Sequence, residues 1–285
     1  MYYRLIAIDL DGTLLDQTGQ VSPENFRAIA EAQAAGALVV PCTGRAWCES
    51  AGPLASMSNP GIGVFVTGAT VTDVRTGRSV DLSFIDAQLV ADIVEHLFDM
   101  PEAILILREP FAAGYDYLVT GRGELTENTK WWFETYGTKV HYSQNPRIED
   151  LAHTLRIGAV GSQARIREIV SVLQHRFSDE LFVQYFGSVQ IPDQPKRAYV
   201  LEVFARGVNK WRGVQWVADQ HEIPADQIVV IGDEINDITM LENAGCAIAM
   251  DNGIETVKHI ADHVTLHHEE HGVAHAIGQL IAGKW

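Results

Sequence analysis

An apolar stretch close to the N-terminus runs directly into a pair of acids. Residues 5–8 read "LIAI" and are followed at once by "DLDGT", residues 9–13. A segment with helical start and stop signals, residues 23–35, separates this stretch from a second apolar run at residues 37–40. Strand, helix and strand at this spacing predict a βαβ unit, and therefore a parallel sheet.

The C-terminal part of the chain repeats the same alternation. Strands are predicted at residues 199–204, 228–231 and 246–250, with helices between and after them. The middle of the chain, residues 84–195, also alternates between helix and strand but is interrupted by its own turn signals. We therefore predict an α/β fold in which this middle segment forms a separate α/β domain inserted into the first.

Composition restricts the class of protein. The chain has 285 residues, of which 47% are hydrophobic and 20% charged, as expected for a soluble protein of about two domains. A formal net charge of −16 argues against nucleic acid or an anionic membrane surface as partner. The three cysteines suggest no disulfide framework, and no apolar run approaches the ~18 residues of a membrane span. A cytoplasmic location is expected.

Four polar stretches stand immediately after predicted strands or at the start of a helix. They are residues 9–13, residues 43–45, Lys210 and residues 232–237. In an open parallel sheet, ligands bind beyond the carboxyl ends of the strands. The four stretches are therefore expected to meet at one edge of the sheet.

The side chains expected at this edge combine acids with anion-binding groups. Four carboxylates could not all stay ionised side by side without a cation; they belong to Asp9, Asp11, Asp233 and Asp237. Mg²⁺ prefers such oxygen ligands and commonly bridges to a phosphate. Thr43, Gly44 and Lys210 offer a hydroxyl, a backbone N–H and an ammonium to a phosphate. Together these groups indicate phosphoryl transfer with Mg²⁺ as cofactor.

The four stretches resemble the ordered motifs of the haloacid dehalogenase (HAD) superfamily. They read "DLDGTLL" from residue 9, "TGR" from residue 43, Lys210 and "GDEIND" from residue 232. The long insertion before Lys210 resembles the type IIB cap, and the tail at residues 257–277 is similar to that of Cof-type phosphatases. The resemblance implies a Rossmann-like core formed by residues 1–83 and 196–285, with a cap formed by residues 84–195.

The resemblance also implies roles for individual residues. Asp9 would be the nucleophile that forms an aspartyl-phosphate, and Asp11 the general acid and base. Thr43 and Lys210 would bind the phosphoryl oxygens during transfer. The acid at position 11 favours a phosphatase or a phosphomutase, because ion-pumping ATPases and dehalogenases of the superfamily lack it.

The metal site implied by the resemblance uses the same acids. A side-chain oxygen of Asp9, the backbone carbonyl of Asp11 and the carboxylate of Asp233 would hold Mg²⁺. Asp237 would ligate it directly or support it through water. Further residues are predicted to contact substrate or phosphate, namely Leu10, Gly44, Arg45 and Asn236, with Arg45 near the mouth of the site.

The predicted function is a Mg²⁺-dependent phosphatase of small phosphorylated metabolites, with sugar phosphates as the first expectation and pyridoxal phosphate or flavin mononucleotide as others. No nucleic-acid or membrane partner is expected, and the protein is predicted to be a monomer or a homodimer. A phosphohexose mutase is an alternative that needs a basic pocket on the cap, for which the candidates are Arg108, Arg122, Lys130 and Arg156. A non-catalytic phosphosugar sensor is the third reading.

Two positions depart from the Cof-type pattern. Thr67 stands where relatives usually carry the asparagine of Asn-Gly-Ala, and Trp211 stands where they often have glycine. A group of histidines at residues 267–275 includes two that are four positions apart, a spacing compatible with zinc. Relatives share that layout without a metal, so a polar loop that leads into the last helix is the favoured interpretation.

Overall fold

A computed structural model describes residues 2–55, 61–187 and 198–285. The chain divides into two compact units. The first unit comprises Met1–Asp81 and Asn209–Trp285, and the second unit comprises Leu82–Val208. The predicted boundary between residues 195 and 196 lies outside the described residues.

Both units are mixed α/β, as predicted. The strands are, in chain order, β1 (Leu5–Ile8), β2 (Leu38–Pro41), β3 (Ile62–Phe65), β4 (Thr70–Asp73), β5 (Ser79–Leu82), β6 (Ile104–Arg108), β7 (Tyr117–Thr120), β8 (Val140–Tyr142), β9 (Thr154–Gly161), β10 (Leu181–Gly187), β11 (Tyr199–Ala205), β12 (Ile228–Gly232), β13 (Cys246–Ala249) and β14 (His263–Val264). The α-helices are α1 (Pro23–Ala34), α2 (Trp47–Leu54), α3 (Ala87–Leu97), α4 (Pro110–Ala113), α5 (Glu127–Thr135), α6 (Ile148–Leu151), α7 (Gln163–Phe177), α8 (Lys210–Gln220), α9 (Ile238–Leu241), α10 (Glu255–Ile260) and α11 (Gly272–Ile281).

The main sheet of the first unit is parallel throughout, which confirms the βαβ prediction. Its strand order is β14-β13-β12-β1-β2, so β1 lies between β12 and β2. All four residues of β1 are fully buried. This explains why the strand is apolar at every position instead of alternating, since a strand covered on both faces has no solvent side.

A smaller antiparallel sheet of the first unit has the order β3-β4-β5. Its strands β4 and β5 form a hairpin whose connection is residues 74–78. A parallel bridge between Cys42 and Val64 joins the end of β2 to β3. The loop that follows β3 therefore lies beside the motif at residues 43–45.

The second unit is built on a six-stranded sheet of order β10-β11-β9-β6-β7-β8. Neighbouring strands are antiparallel except for β7 and β8. One face of the sheet packs against α3 and α7 through a cluster that includes Ile106, Ile157 and Leu201. β11 therefore belongs to this sheet, whereas the sequence pattern had placed residues 199–204 in the core. An apolar strand pattern does not identify the sheet that the strand joins.

Two further differences concern helices. The helix expected between the strands at residues 228–231 and 246–250 is a short 3₁₀ turn, Ile235–Asp237, followed by α9. The helix α2 was not predicted, because Gly52 and Pro53 are residues that disfavour a helix in sequence-based prediction. Within the described ranges, none of the helices has the length and apolar character needed to cross a lipid bilayer.

Candidate active site

The "DLDGT" stretch turns sharply at the end of the central strand. The backbone N–H of Asp9 donates to the carbonyl of Ile231 at 3.0 Å and so extends the pairing of β1 with β12. The chain then forms a wide turn over Leu10–Leu14. Gly12 has φ +76° in this turn, and a Cβ on it would lie 2.4 Å from Oδ2 of Asp233. Only glycine fits here, because both the conformation and the space exclude a side chain.

Lys210 begins α8 and points into the same place. Its ammonium is fully buried and donates to Oδ1 of Asp9 at 2.6 Å and to Oδ1 of Asp237 at 2.5 Å. Burial by itself would lower the pKa of Lys210, but the carboxylates of Asp237 and Asp9 raise it above its ordinary value. The lysine is therefore a fixed cation between two acids.

The loop after β12 is held together by Asp237. Oδ2 of Asp237 accepts hydrogen bonds from the backbone N–H groups of Asp233 at 2.9 Å and Glu234 at 3.0 Å. Both carboxylate oxygens of Asp237 thus accept hydrogen bonds from protein groups. The hydroxyl of Thr13 donates to Oδ1 of Asp233 at 2.9 Å. This bond ties the first motif to the fourth.

The acids form a compact group suited to a cation. Asp9, Asp233 and Asp237 each offer an oxygen within 4.8 Å of the others. Burial and the carboxylates of Asp237 and Asp11 raise the pKa of Asp9 to about 7, although Lys210 opposes the shift. Burial, Asp9 and Asp237 raise the pKa of Asp233 to about 9. One lysine does not balance this concentration of negative charge, and the oxygen-only donor set fits Mg²⁺.

Arg45 differs most from its prediction. It is 8% exposed rather than open at the mouth of a site, and its Nη1 donates to the backbone carbonyl of Glu49 at 3.3 Å. Its Nε donates to Oδ2 of Asp11 at 2.7 Å, and its Nη2 donates to Oδ1 of the same carboxylate. The guanidinium therefore holds Asp11 through both oxygens, the strongest arrangement for such a pair.

Comparison with known proteins decides the family. The family model described as haloacid dehalogenase-like hydrolase matches residues 6–277. The chain belongs to this family. It is 30% identical to the phosphatase YwpJ of Bacillus subtilis, over 98% of this chain and 100% of that protein. The predicted HAD membership and Cof-type phosphatase class are confirmed, and the enzyme is a phosphatase of this family.

Two other proteins are similar along nearly the whole chain. The 5-amino-6-(5-phospho-D-ribitylamino)uracil phosphatase YitU of Bacillus subtilis is 29% identical, over 95% of this chain and 94% of that protein. A solved haloacid dehalogenase-like hydrolase from Bacillus subtilis superposes with a TM-score of 0.78 at 25% identity, over 97% of this chain and 99% of that one. The fold class predicted from the sequence is thereby confirmed.

The remaining motif residues of this HAD hydrolase lie around the same strand ends. Thr43 is 1% exposed, and its hydroxyl oxygen accepts from the backbone N–H of Arg45 at 3.1 Å. Leu10 is fully buried and Gly44 is partly exposed. Asn236 is partly buried, and its Oδ1 is enclosed without a hydrogen-bond partner. The four motifs that the sequence singled out thus converge within the first unit.

Thr67, one of the two departures from the Cof-type pattern, lies in a strained turn. Val66 and Thr67 have φ values of +51° and +53°, in the left-handed region that asparagine and glycine tolerate better. The next residue, Gly68, has φ +90°, and a Cβ on it would lie 2.0 Å from the carbonyl oxygen of Asn209. The turn therefore fixes the residue that precedes Lys210. Trp211, the other departure, packs against the core of the first unit.

Two contributors to the site were missed. Glu49 is 1% exposed, and its Oε2 accepts from the backbone N–H of Ala46 at 2.8 Å, which fixes the start of α2 beside Arg45. An acid three residues into a helix is a capping signal that could have revealed it. Asn252 donates to the carbonyl of Gly12 at 2.7 Å and accepts from the N–H of His268 at 2.9 Å. No sequence signal identifies this bridge.

The histidine group makes protein contacts. The Nδ1 atoms of His268, His271 and His275 lie 2.9 to 3.0 Å from protein oxygens, which belong to the carbonyl of Leu15 and the hydroxyls of Ser22 and Thr265. Among the described residues, the group of side chains close enough to share a metal ion consists of Asp9, Asp233 and Asp237. The histidines thus tie the last helix region to the segment around Ser22.

Proposed function

We propose that this protein is a Mg²⁺-dependent phosphatase of small phosphorylated metabolites, chiefly sugar phosphates, that works through an aspartyl-phosphate on Asp9. The observation that carries the proposal is the buried ammonium of Lys210 between Asp9 and Asp237, with Asp233 close by. Fixed positive charge beside an acid cluster suits a nucleophilic carboxylate and the anionic group that it attacks.

The residues present fit Mg²⁺. Buried carboxylates with raised pKa values need a cation, and a glycine at position 12 leaves the space beside Asp233 free of a side chain. Asp9, Asp233 and the backbone carbonyl of Asp11 would hold the ion. When bound, Mg²⁺ would offset the charge of the acids and of the substrate phosphate. Asp237 supports the site by holding Lys210 and the backbone of residues 233 and 234.

The protein groups then divide the reaction between them. Asp9 attacks phosphorus, and its bond to phosphorus forms as the bond to the leaving alcohol breaks. Asp11 gives a proton to that alcohol and later takes one from the water that hydrolyses the acyl phosphate, so at least one of its oxygens must leave Arg45 during the reaction. Lys210 and Thr43 stabilise charge on the phosphoryl oxygens. The first unit is proposed as the catalytic core, and the second unit as the cap that sets selectivity.

The substrate class rests on the chemistry of the relatives. The similar phosphatase YitU is named for a substrate that carries its phosphate on a ribityl chain, which is a sugar alcohol. A phosphate ester of a small polyol or sugar is accordingly the first class to test. Pyridoxal phosphate and flavin mononucleotide extend the same panel.

The test is a phosphate-release assay with Mg²⁺ over that panel. Wild-type protein should release phosphate from at least one sugar phosphate, and chelation should abolish the release. Asp9→Asn should lower the rate at least ~10³-fold, because the nucleophile is lost. Asp179→Asn, at an exposed acid of the second unit, is the matched control and should retain wild-type activity. Absence of release from every ester, or full activity in Asp9→Asn, would contradict the proposal.

A further inference from the structure

The loop between β13 and α10, residues 250–254, is in direct contact with the motif that follows β12. The backbone N–H of Ile254 donates to the carbonyl of Asp233 at 2.9 Å. A Cβ on Gly253 would lie 3.3 Å from Cα of Asp233, so the two segments of backbone approach each other closely. The loop is therefore fixed relative to one of the acids proposed to hold Mg²⁺.

Asn252 extends from this loop to the turn that follows Asp9. Its Nδ2 donates to the backbone carbonyl of Gly12 at 2.7 Å, and its Oδ1 accepts from the backbone N–H of His268 at 2.9 Å. A carbonyl can only accept and a backbone N–H can only donate, so these partners determine the orientation of the amide. Asparagine satisfies both, whereas an ionised aspartate of the same shape could not donate to Gly12.

The segment that contacts Oδ1 of Asn252 also contacts the far end of the turn. Nδ1 of His268 lies 2.9 Å from the backbone carbonyl of Leu15, and the backbone N–H of Gln17 donates to Oε1 of Glu269 at 2.6 Å. Asn252 is thus held between two segments of backbone that are both fixed to the first unit. Its amide is a rigid support for Gly12.

The turn requires such a support at Gly12. The backbone hydrogen bonds that the turn makes within itself, donated by Leu14 and Leu15, go to the two carbonyls that precede Asp11. Gly12 follows, with φ +76° and ψ 1°. Glycine is the residue with the widest range of backbone conformations, so its torsion angles are fixed by contacts from outside. The hydrogen bond from Asn252 provides this restraint.

The torsion angles of Gly12 matter for the proposed Mg²⁺ site. The carbonyl of Asp11 belongs to the peptide bond between Asp11 and Gly12, and its direction relative to the rest of the turn depends on φ of Gly12. The same loop that holds Gly12 through Asn252 holds Asp233 through Ile254. One loop therefore connects two groups proposed as ligands, which come from motifs more than 200 residues apart in the chain.

We propose that Asn252 is a positioning residue of the Mg²⁺ site. By holding the carbonyl of Gly12, it fixes the direction of the Asp11 carbonyl relative to the carboxylate of Asp233. Groups that orient metal ligands without binding the metal typically change metal affinity or activity by about 10- to 100-fold when they are removed. The inference rests on the proposed function, because it needs the Mg²⁺ site, but it concerns a residue outside the proposed set of ligands.

The test measures Mg²⁺ binding without substrate. Isothermal titration calorimetry with chelator-treated, full-length protein gives the dissociation constant, which Asn252→Ala should raise about 10-fold or more. The Mg²⁺ concentration for half-maximal phosphate release should rise by the same factor. Asn243→Ala is the matched control: Asn243 is exposed, and its Nδ2 also donates to a backbone carbonyl at 2.7 Å, that of Thr239. This control should bind Mg²⁺ as the wild-type protein does.

Circular dichroism in urea separates positioning from a loss of folding, because a variant that is fully folded without urea cannot owe weak binding to its unfolded fraction. If Asn252→Ala does not fold, Asn252→Asp replaces it, since it keeps the acceptor for His268 but cannot donate to Gly12. Its added negative charge alone would favour a cation, so weaker Mg²⁺ binding would report the lost donor.

The outcomes distinguish this inference from the proposed function. Mg²⁺ affinity equal to or above that of the wild-type protein, in whichever of the two variants is folded, would overturn the role of Asn252 and leave the proposed function intact. Absence of Mg²⁺ binding by the wild-type protein would contradict the proposed Mg²⁺ site itself, and this inference with it.

Discussion

The ammonium of Lys210 and the carboxylate of Asp237 lie 2.5 Å apart, and both side chains are fully buried. The same ammonium is 2.6 Å from Asp9. Removing Lys210 would leave two buried acids without the cation that they share, a more severe change than the loss of one hydrogen bond. The pair therefore links the stability of the first unit to the proposed chemistry of Asp9.

Lys210→Met should lower the free energy of unfolding by about 3–5 kcal/mol in metal-free protein, because it strands buried carboxylates. Urea denaturation followed by circular dichroism measures the change. Lys258→Met is the matched control, since Lys258 lies 3.7 to 3.8 Å from Glu255 and Asp251 at the surface and should change stability by less than about 1 kcal/mol. Equal losses in the two variants would contradict the assignment.

Metal-free protein should become less stable as the pH rises. The native pKa values of Asp9 and Asp233, about 7 and about 9, exceed those of an unfolded aspartate, so the native state binds more protons. The stabilising contribution is complete at low pH and is lost as pH rises from about 4 to about 9, by at most about 1.4 kcal/mol per pH unit for each proton released. Unfolding curves at several pH values with chelator measure it. Mg²⁺ should flatten the dependence, and a flat curve without Mg²⁺ would refute the prediction.

Gly68→Ala should destabilise the protein strongly. The new Cβ would lie 2.0 Å from the carbonyl oxygen of Asn209, and the residue has φ +90°. Gly36→Ala is a close control, because Gly36 has φ +91° but nothing within 4 Å of a Cβ. The control should lose about 1 kcal/mol from conformational strain alone. Gly68→Ala should lose at least about 3 kcal/mol and also lower activity, since it displaces the residue before Lys210. Equal losses of stability in the two variants would mean that the turn accommodates the new Cβ without strain.

Arg45→Met should reveal whether Arg45 serves Asp11 or the substrate. Because Arg45 holds both oxygens of Asp11, its loss should misplace the proton donor and lower kcat about 10²-fold for sugar phosphates, with little change in KM. The decrease in kcat should be smaller for p-nitrophenyl phosphate, because its leaving group needs no proton. Arg27→Met, at a surface pair with Glu24, is the control. A higher KM at constant kcat would instead support the phosphate contact predicted from the sequence.

The sequence was sufficient to predict those features that depend on residues close together in the chain. The apolar residues of β1 and the helical start and stop signals at residues 23–35 predicted both elements. Beyond the local signals, the positions of the four motifs after strands or at a helix start predicted that Asp9, Lys210 and Asp233 would meet. The pairing of β11 with β10 and β9 was not predictable, because the apolar pattern of a strand does not specify which strands pair with it. The ion pair of Arg45 with Asp11 and the hydrogen bond from Thr13 to Asp233 join residues far apart in the chain. Both depend on side-chain conformations, which the spacing of motifs does not determine.

The position of β1 between β2 and β12 sets an order of events during translation. β2 leaves the ribosome soon after β1, but β12 follows only after the whole of the second unit. The second unit is one continuous segment and can complete its sheet while β1 still has one open edge. Because Lys210 and Asp233 are also synthesised late, the nascent chain lacks both until the second unit has emerged. A chain that ends between Val208 and β12 would therefore contain every strand of the second unit but would lack Asp233 and one neighbour of β1 in the first.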